Sequence, residues 1–325
     1  ADAPPPPPGR RASRQAAALR DARRVRRRER GTKVAGRRGY FLRGPGVMLN
    51  LALQNYGAAF LAARGYTLLQ PPFFMRKEVM SRTAELRDFD DQLYKVSAKP
   101  PEREPADGSP DAAAYLIATS EQPISAMHQD ETLPRSDLPL RYAGISPCFR
   151  AETSSRGLDA KGLFRVHQFE KVEQFCICAP EESCELFQEM VAISEEFHAS
   201  LGLPYRVVAI ASGAMNSTAA MKYDLEAWFP ASQEYRELVS CSNCTDFQAR
   251  ALGVRIKETA GTSFAHMLNA TLCATERTMC CLAENCQQET GIRVPRVLVP
   301  YLHGQEFFSY VTDLPTSSSR TADTL

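Results

Sequence analysis

Arg150 and Glu152 stand two residues apart in Cys148-Phe149-Arg150-Ala151-Glu152, and after a polar loop the chain resumes as Phe164-Arg165-Val166-His167-Gln168-Phe169-Glu170-Lys171-Val172-Glu173. A guanidinium is a planar fork suited to phosphate, and a carboxylate beside it can accept from a base amino group or an ammonium. That pairing points to nucleotide chemistry. The pattern predicts two strands joined by a loop, Thr153 to Gly162, that carries Ser154, Ser155, Arg156, Gly157, Asp159 and Lys161. On a pleated strand residues two apart share a face, so Arg150 and Glu152 would point to one side. No Gly-rich strand-to-helix turn of the phosphate-cradling type occurs in the chain, so a nucleotide here would have to be held by side chains on a sheet.

The elements that must position these groups can be read from spacing. A helix follows Pro45, with Leu49, Leu53, Tyr56 and Phe60 at helical intervals and Gly65 as its stop. A strand over Tyr66 to Leu69 meets Pro71-Pro72, which cannot donate to a ladder. Residues 98–112, rich in Pro, Ala and acidic side chains, read as an exposed insertion. A second helix spans about Glu181 to Leu201 with Leu186, Met190, Ile193 and Phe197 as its buried stripe. Strands are expected at Tyr205–Ile210, Lys222–Phe229, Arg236–Cys241 and near Ala265–Ala270, and a last helix from Ala274 toward Glu289, stopped by Gly291. Runs of strands joined by hairpin-like loops with few helices imply an α+β fold, a mostly antiparallel sheet flanked by helices.

Charge divides the chain. Residues 1–38 hold twelve Arg and one Lys against Asp2, Asp21 and Glu29, a net +10, which leaves −9 on the remaining residues. The leader opens with Pro4 to Pro8 and has almost no large apolar residues, so it reads as a disordered tail, with nonspecific RNA contact or organellar targeting as the sharper readings of its charge. The organisation expected is a leader over 1–38, a folded body over 39–312 and a frayed tail over 313–325. No apolar run approaches the ~20 residues of a membrane helix. The ten cysteines are unevenly spaced and read as a reduced set. Cys241-x-x-Cys244 has the spacing of half a zinc site, but no second such pair exists and Cys176-x-Cys178 falls on a predicted strand; His266 and Cys273 could be conscripted, but packing is the expected role, without zinc. His167 reads as a core histidine in mid-strand.

Five segments in chain order resemble the class II aminoacyl-tRNA synthetases in their seryl form, of eukaryotic cytosolic type. Cys148–Glu173 is similar to motif 2 and Gly65-Tyr66-Thr67-Leu68-Leu69-Gln70-Pro71-Pro72-Phe73-Phe74-Met75-Arg76-Lys77-Glu78 to motif 1. Ile117-Ala118-Thr119-Ser120-Glu121-Gln122-Pro123 resembles the serine-binding loop. Arg236-Glu237-Leu238-Val239-Ser240-Cys241-Ser242-Asn243-Cys244-Thr245-Asp246 is similar to the ATP and metal strand. His266-Met267-Leu268-Asn269-Ala270-Thr271 with Ala274-Thr275-Glu276-Arg277-Thr278 resembles motif 3.

The resemblance implies serine activation by ATP and Mg²⁺, then transfer to tRNA(Ser), in a cytoplasmic homodimer. It places Arg150 on the α-phosphate and the serine carboxylate, Arg277 at the γ-phosphate end, Glu152 by the adenine or ribose, and Val166 against the nucleotide. Glu237 would hold Mg²⁺ with help from Ser240. Residues three apart lie on opposite faces of a regular strand, so both reach one ion only if the strand ends or bulges there. Thr119 and Glu121 would take the serine ammonium, Glu173 the hydroxyl or ammonium, and Asn269 the hydroxyl, with Ser120 joining through its backbone. Pro72 would lie at the dimer contact. Members of this family carry a long N-terminal helical hairpin that grips tRNA, and nothing before Gly39 has the heptads it needs. Seryl-adenylate formation with poor tRNA charging is therefore expected. The alternative is a synthetase-like RNA- or partner-binding protein without the activity.

Overall fold

A computed structural model describes residues 30–83, 92–96, 114–152 and 163–310. The expected insertion at 98–112, the loop Thr153–Gly162 and the tail 313–325 lie outside the described residues. The strands are β1 (Thr67–Leu69), β2 (Phe74–Arg76), β3 (Lys95–Val96), β4 (Ala114–Leu116) and β5 (Thr132–Pro134). They continue as β6 (Leu140–Phe149), β7 (Gln168–Cys178), β8 (Tyr205–Ala209), β9 (Met221–Phe229) and β10 (Glu234–Asn243). The last are β11 (Arg255–Glu258), β12 (Gly261–Phe264), β13 (His266–Ala274), β14 (Gly291–Arg293) and β15 (Phe307–Ser309). Helices α1 (Pro45–Ala62), α2 (Lys77–Met80), α3 (Glu121–Ala126), α4 (Ser183–Ser200), α5 (Phe247–Leu252) and α6 (Thr275–Asn285) complete the labelled elements.

Seven strands form the central sheet in the order β1-β6-β7-β13-β10-β9-β8. Only the β1–β6 pair is parallel; the others run antiparallel. Long hydrophobic strands alternate between two covered faces, as they must when both sides are buried. Behind the sheet, Cys176, Cys178, Leu268, Ala270 and Leu272 pack against α1 and α4, where Leu53, Leu186, Met190 and Phe197 are buried. In front, Phe175, Ile177 and Met267 meet Ile124 of α3, Ala249 and Leu252 of α5, and Ile256 of β11. Each fully buried side chain of this size contributes about 1.5–3 kcal/mol relative to exposure.

The stripe expected for α4 is buried in full, as are Leu49 and Leu53 of α1, while Tyr56 and Phe60 are partly covered by the same core. Three expectations are corrected. The strand carrying Arg150 ends at Phe149 and the next begins at Gln168, so Arg150 and Glu152 lie beyond the pleat, with Glu152 at a φ of 51°. The last helix stops at Asn285, whose side-chain amide donates to the Cys281 and Trp228 carbonyl oxygens, both at 2.9 Å. Gly291 opens β14 instead of ending a helix, because a Cβ there would lie 2.2 Å from the Phe308 carbonyl oxygen of β15. The ordered body also reaches back past Gly39: Arg38 is buried, its guanidinium 3.8 Å from Glu152, and Tyr40 donates to Glu276 at 2.9 Å.

Candidate active site

Past the end of β6 the chain turns, and backbone pairing fixes where Arg150 goes. Its N–H donates to the His167 carbonyl at 2.9 Å, and His167 Nδ1 lies 3.0 Å from the Arg150 carbonyl. His167 therefore stands before β7, half-buried, as a brace for Arg150 and not as a core residue in mid-strand. Arg150 Nε donates to the Ala118 carbonyl at 3.3 Å, and its guanidinium lies 5.3 Å from the Phe169 ring. The turn does what the pleat was expected to do: Arg150, Glu152, Val166, Glu237 and Arg277 line one cavity.

Arg277 sits in the first turn of α6, where the start of the helix aims it at β10. Its Nη1 is 3.3 Å from the Glu237 carboxylate and 3.2 Å from the Glu237 carbonyl. Burial, together with the Arg150 and Arg165 charges, lowers the Arg277 pKa against the opposing pull of Glu237. Like charges gathered in a partly dry cavity are costly until an anion joins them. Arg165, which the sequence reading passed over, belongs to this group and donates to Glu152 at 3.4 Å.

The spacing problem at Glu237 and Ser240 is resolved by a bulge. Glu237 pairs with Glu226, but Val239 pairs with Leu225 and Ser240 with Asp224, so the register slips between Glu237 and Val239. Glu226 and Asp224 are two apart and share a face, hence so do Glu237 and Ser240. Burial first and then the Glu237 charge push the Asp224 carboxyl up to about 6. Asp224 Oδ1 is buried with no hydrogen-bond partner among the described residues. Carboxylate and hydroxyl oxygens with spare acceptor capacity are the donors Mg²⁺ takes, so these residues fit the ion.

Beside this cavity lies a cluster of polar side chains around Glu173. Glu173 on β7 is buried, and its Oε2 accepts from Thr119 Oγ1 at 2.5 Å, Ser120 Oγ at 2.9 Å and the Glu121 N–H at 3.3 Å. Ser120 meets Glu173 through its hydroxyl, and the backbone N–H that joins it there is that of Glu121. The loop can approach so closely because Gly144, the β6 partner of Glu173, has no side chain; a Cβ there would lie 2.4 Å from Ser120 Oγ. Glu121 Oε1 accepts from Gln248 of α5 at 2.7 Å. Asn269 is buried on β13, donates to Cys244 Sγ at 3.8 Å and pairs with Phe175 of β7, so it is a strand residue.

Burial would raise the Glu173 carboxyl, but the Lys171 charge and the hydrogen bonds from Lys171, Thr119 and Ser120 outweigh it and hold the pKa low. Glu121 goes the other way, to about 7, through burial and then the neighbouring Glu173 charge. Lys171 was not singled out from sequence, although a lysine and a glutamate two apart on one face of an otherwise buried strand are a readable signal. Gln248 and Gly144 gave none. Of the zinc candidates, Cys241 and Cys273 are in the core behind the sheet and His266 bonds Ser183 at 3.0 Å; no cluster of three metal-ligating side chains occurs among the described residues. Pro72 is exposed ahead of β2.

Residues 94–286 match the tRNA synthetase class II core domain (G, H, P, S and T). The chain belongs to the class II aminoacyl-tRNA synthetase family. More particularly, it is 53% identical over 288 residues to the cytoplasmic serine–tRNA ligase of Arabidopsis thaliana, covering 87% of this chain and 61% of that protein. The cytoplasmic serine–tRNA ligase of Saccharomyces cerevisiae is 53% identical over 302 residues, covering 91% and 63%. A crystal structure of the Naegleria fowleri cytoplasmic serine–tRNA ligase with AMP superposes with a TM-score of 0.84 at 49% identity, covering 91% of this chain and 68% of that one. Seryl-tRNA synthetase from Pyrococcus horikoshii with ATP gives 0.81 at 40% identity, covering 89% and 64%. The chain spans about three-fifths of the length of the two curated relatives.

Proposed function

We propose that this chain activates L-serine with ATP to seryl-adenylate and pyrophosphate, then passes the seryl group to a terminal ribose hydroxyl of tRNA(Ser). A serine carboxylate oxygen attacks the α-phosphorus, the bond to the bridging oxygen breaks, and its electron pair leaves with pyrophosphate. The protein's task is positioning and charge stabilisation. Arg150 holds the carboxylate and α-phosphate together, and Arg277 meets the γ-phosphate end. Glu152 reads the adenine or ribose, and Val166 packs against it. Glu237 and Ser240 would hold Mg²⁺, which neutralises phosphate charge when bound. Thr119, Ser120, Glu121, Glu173 and Asn269 enclose the amino acid, and a site built around its hydroxyl rejects alanine because buried partners would go unpaired.

One observation carries this reading. Three guanidiniums share a cavity with Glu152 and Glu237, and Lys171 lines that same cavity while bonding Thr119 and Glu173 of the amino-acid pocket. The bound nucleotides named for the Naegleria and Pyrococcus relatives support the ATP half. No observation favours the RNA- or partner-binding alternative. Serine-dependent ATP–pyrophosphate exchange, with threonine, alanine and glycine as controls, tests the proposal; exchange with none of the four would reject it. The relatives' names support a cytoplasmic setting, and no described helix is long and apolar enough to cross a membrane. A symmetric homodimer is the proposed assembly, with exposed Leu68 of β1 and Phe74 of β2 flanking Pro72 as the apolar contact.

A further inference from the structure

Lys171 is 4% exposed, too buried for a solvated strand lysine, and its ammonium makes two short hydrogen bonds. Nζ donates to Glu173 Oε1 at 2.6 Å and to Thr119 Oγ1 at 2.8 Å. Glu173 thereby has a partner on each oxygen, with three donors on Oε2 and the lysine on Oε1. Such a carboxylate has little left to offer an incoming cation. Glu121 differs: its bond comes from the neutral Gln248 amide, and no ion pair to it is found among the described residues. The charged groups facing Glu121 are Glu173 and Lys171 from β7 and Arg150 beyond β6; Gln248 from α5 and the Cys244 thiol beyond β10 are neutral neighbours.

We propose that Lys171 sets the charge of the amino-acid pocket: it neutralises Glu173 and leaves Glu121 as the one carboxylate that receives a substrate ammonium. With Arg150 facing the other end, the pocket then matches one ammonium beside one carboxylate, the zwitterion of a small α-amino acid. Lys171 is a positioning and specificity residue, since it acts on substrate through Glu173, Thr119 and Glu121. This rests on the serine-activating reading above. The charge logic agrees with the electrostatics of Glu121, which Glu173 pushes up and Lys171 pulls down.

The test is the pH dependence of the serine KM in ATP–pyrophosphate exchange, compared among wild type, Lys171→Arg and Lys171→Met. Wild type and Lys171→Arg should share a midpoint, below which serine KM rises. Lys171→Met should move that midpoint at least about one pH unit alkaline and raise serine KM about fivefold or more at pH 7, while kcat above the new midpoint stays within a few-fold. A Lys171→Met enzyme with the wild-type midpoint, or one impaired equally at every pH, would overturn the assignment. Should Lys171→Met lose its cooperative melt, Glu173→Gln decides: removing that charge must move the midpoint toward acid, and an unmoved midpoint refutes the proposal. Absence of serine-dependent exchange in the wild type would instead reject the underlying functional reading, so the two failures are distinguishable.

Discussion

Gly144→Ala is the most demanding single change, because it tests whether the amino-acid loop is built on the sheet as described. The added Cβ would lie 2.4 Å from Ser120 Oγ, 2.7 Å from Ile124 Cδ1 and 2.8 Å from Ser120 Cβ. Comfortable contacts of this kind settle near ~3.5 Å, so the loop must retreat by about 1 Å. Ser120 cannot simply rotate away, since its hydroxyl donates to Glu173 at 2.9 Å. Overpacking of this kind costs about 1–3 kcal/mol, which should lower the melting temperature by roughly 2–10 °C. A displacement of about 1 Å in a positioning loop also lowers kcat/KM for serine by about 10²-fold, while the KM for ATP changes little. Gly213→Ala is the control, since nothing lies within 4 Å of its Cβ. Thermal melts and exchange kinetics on both variants suffice. A Gly144→Ala enzyme with serine KM and melting temperature equal to wild type would refute the close approach of loop and sheet.

Arg150→Ala should leave the melt near wild type and reduce exchange by about 10²–10³-fold or more, as loss of a preorganised charge at the reacting phosphate does; near-normal exchange would dissociate it from the chemistry. Glu173→Ala should both raise serine KM and destabilise the chain by about 3–5 kcal/mol, because Lys171 would be left buried and unpaired; urea unfolding reads the second effect. The two carboxylates should pull stability in opposite directions with pH. Glu173, held below its ordinary value, contributes stability above ~4.5 that is lost as pH falls through its folded pKa, whereas neutral Glu121 contributes most below ~4.5 and loses it as pH rises through about 7. Melts of Glu121→Gln from pH 5 to 8 should be flatter than those of the ligand-free wild type.

Much of the frame was legible because periodicity reports burial directly. The stripe Leu186, Met190, Ile193 and Phe197 needed only one buried face to be read. The guanidinium and carboxylate of motif 2 were readable because they are neighbours in the chain. What could not be read depends on long-range register. Glu237 and Ser240 posed a conflict that only the slip between β9 and β10 resolves. Gly144 carries no chemistry of its own and matters only because Ser120 crosses it. Gln248 meets Glu121 across 127 residues. Gly291 misled because a glycine permits both a helix stop and a close strand pairing, and the second prevailed.

The central claim is that one sheet face holds an adenine nucleotide and a hydroxylated amino acid side by side. A crystal structure of this chain with a non-hydrolysable seryl-adenylate analogue tests it most directly. The phosphate mimic should contact Arg150, the base should lie in the cavity between Phe169 and Arg277, and the seryl ammonium should lie against Glu121 with Asn269 nearby. An analogue bound elsewhere, or one whose seryl group points away from the Thr119–Glu121 loop, would contradict the account.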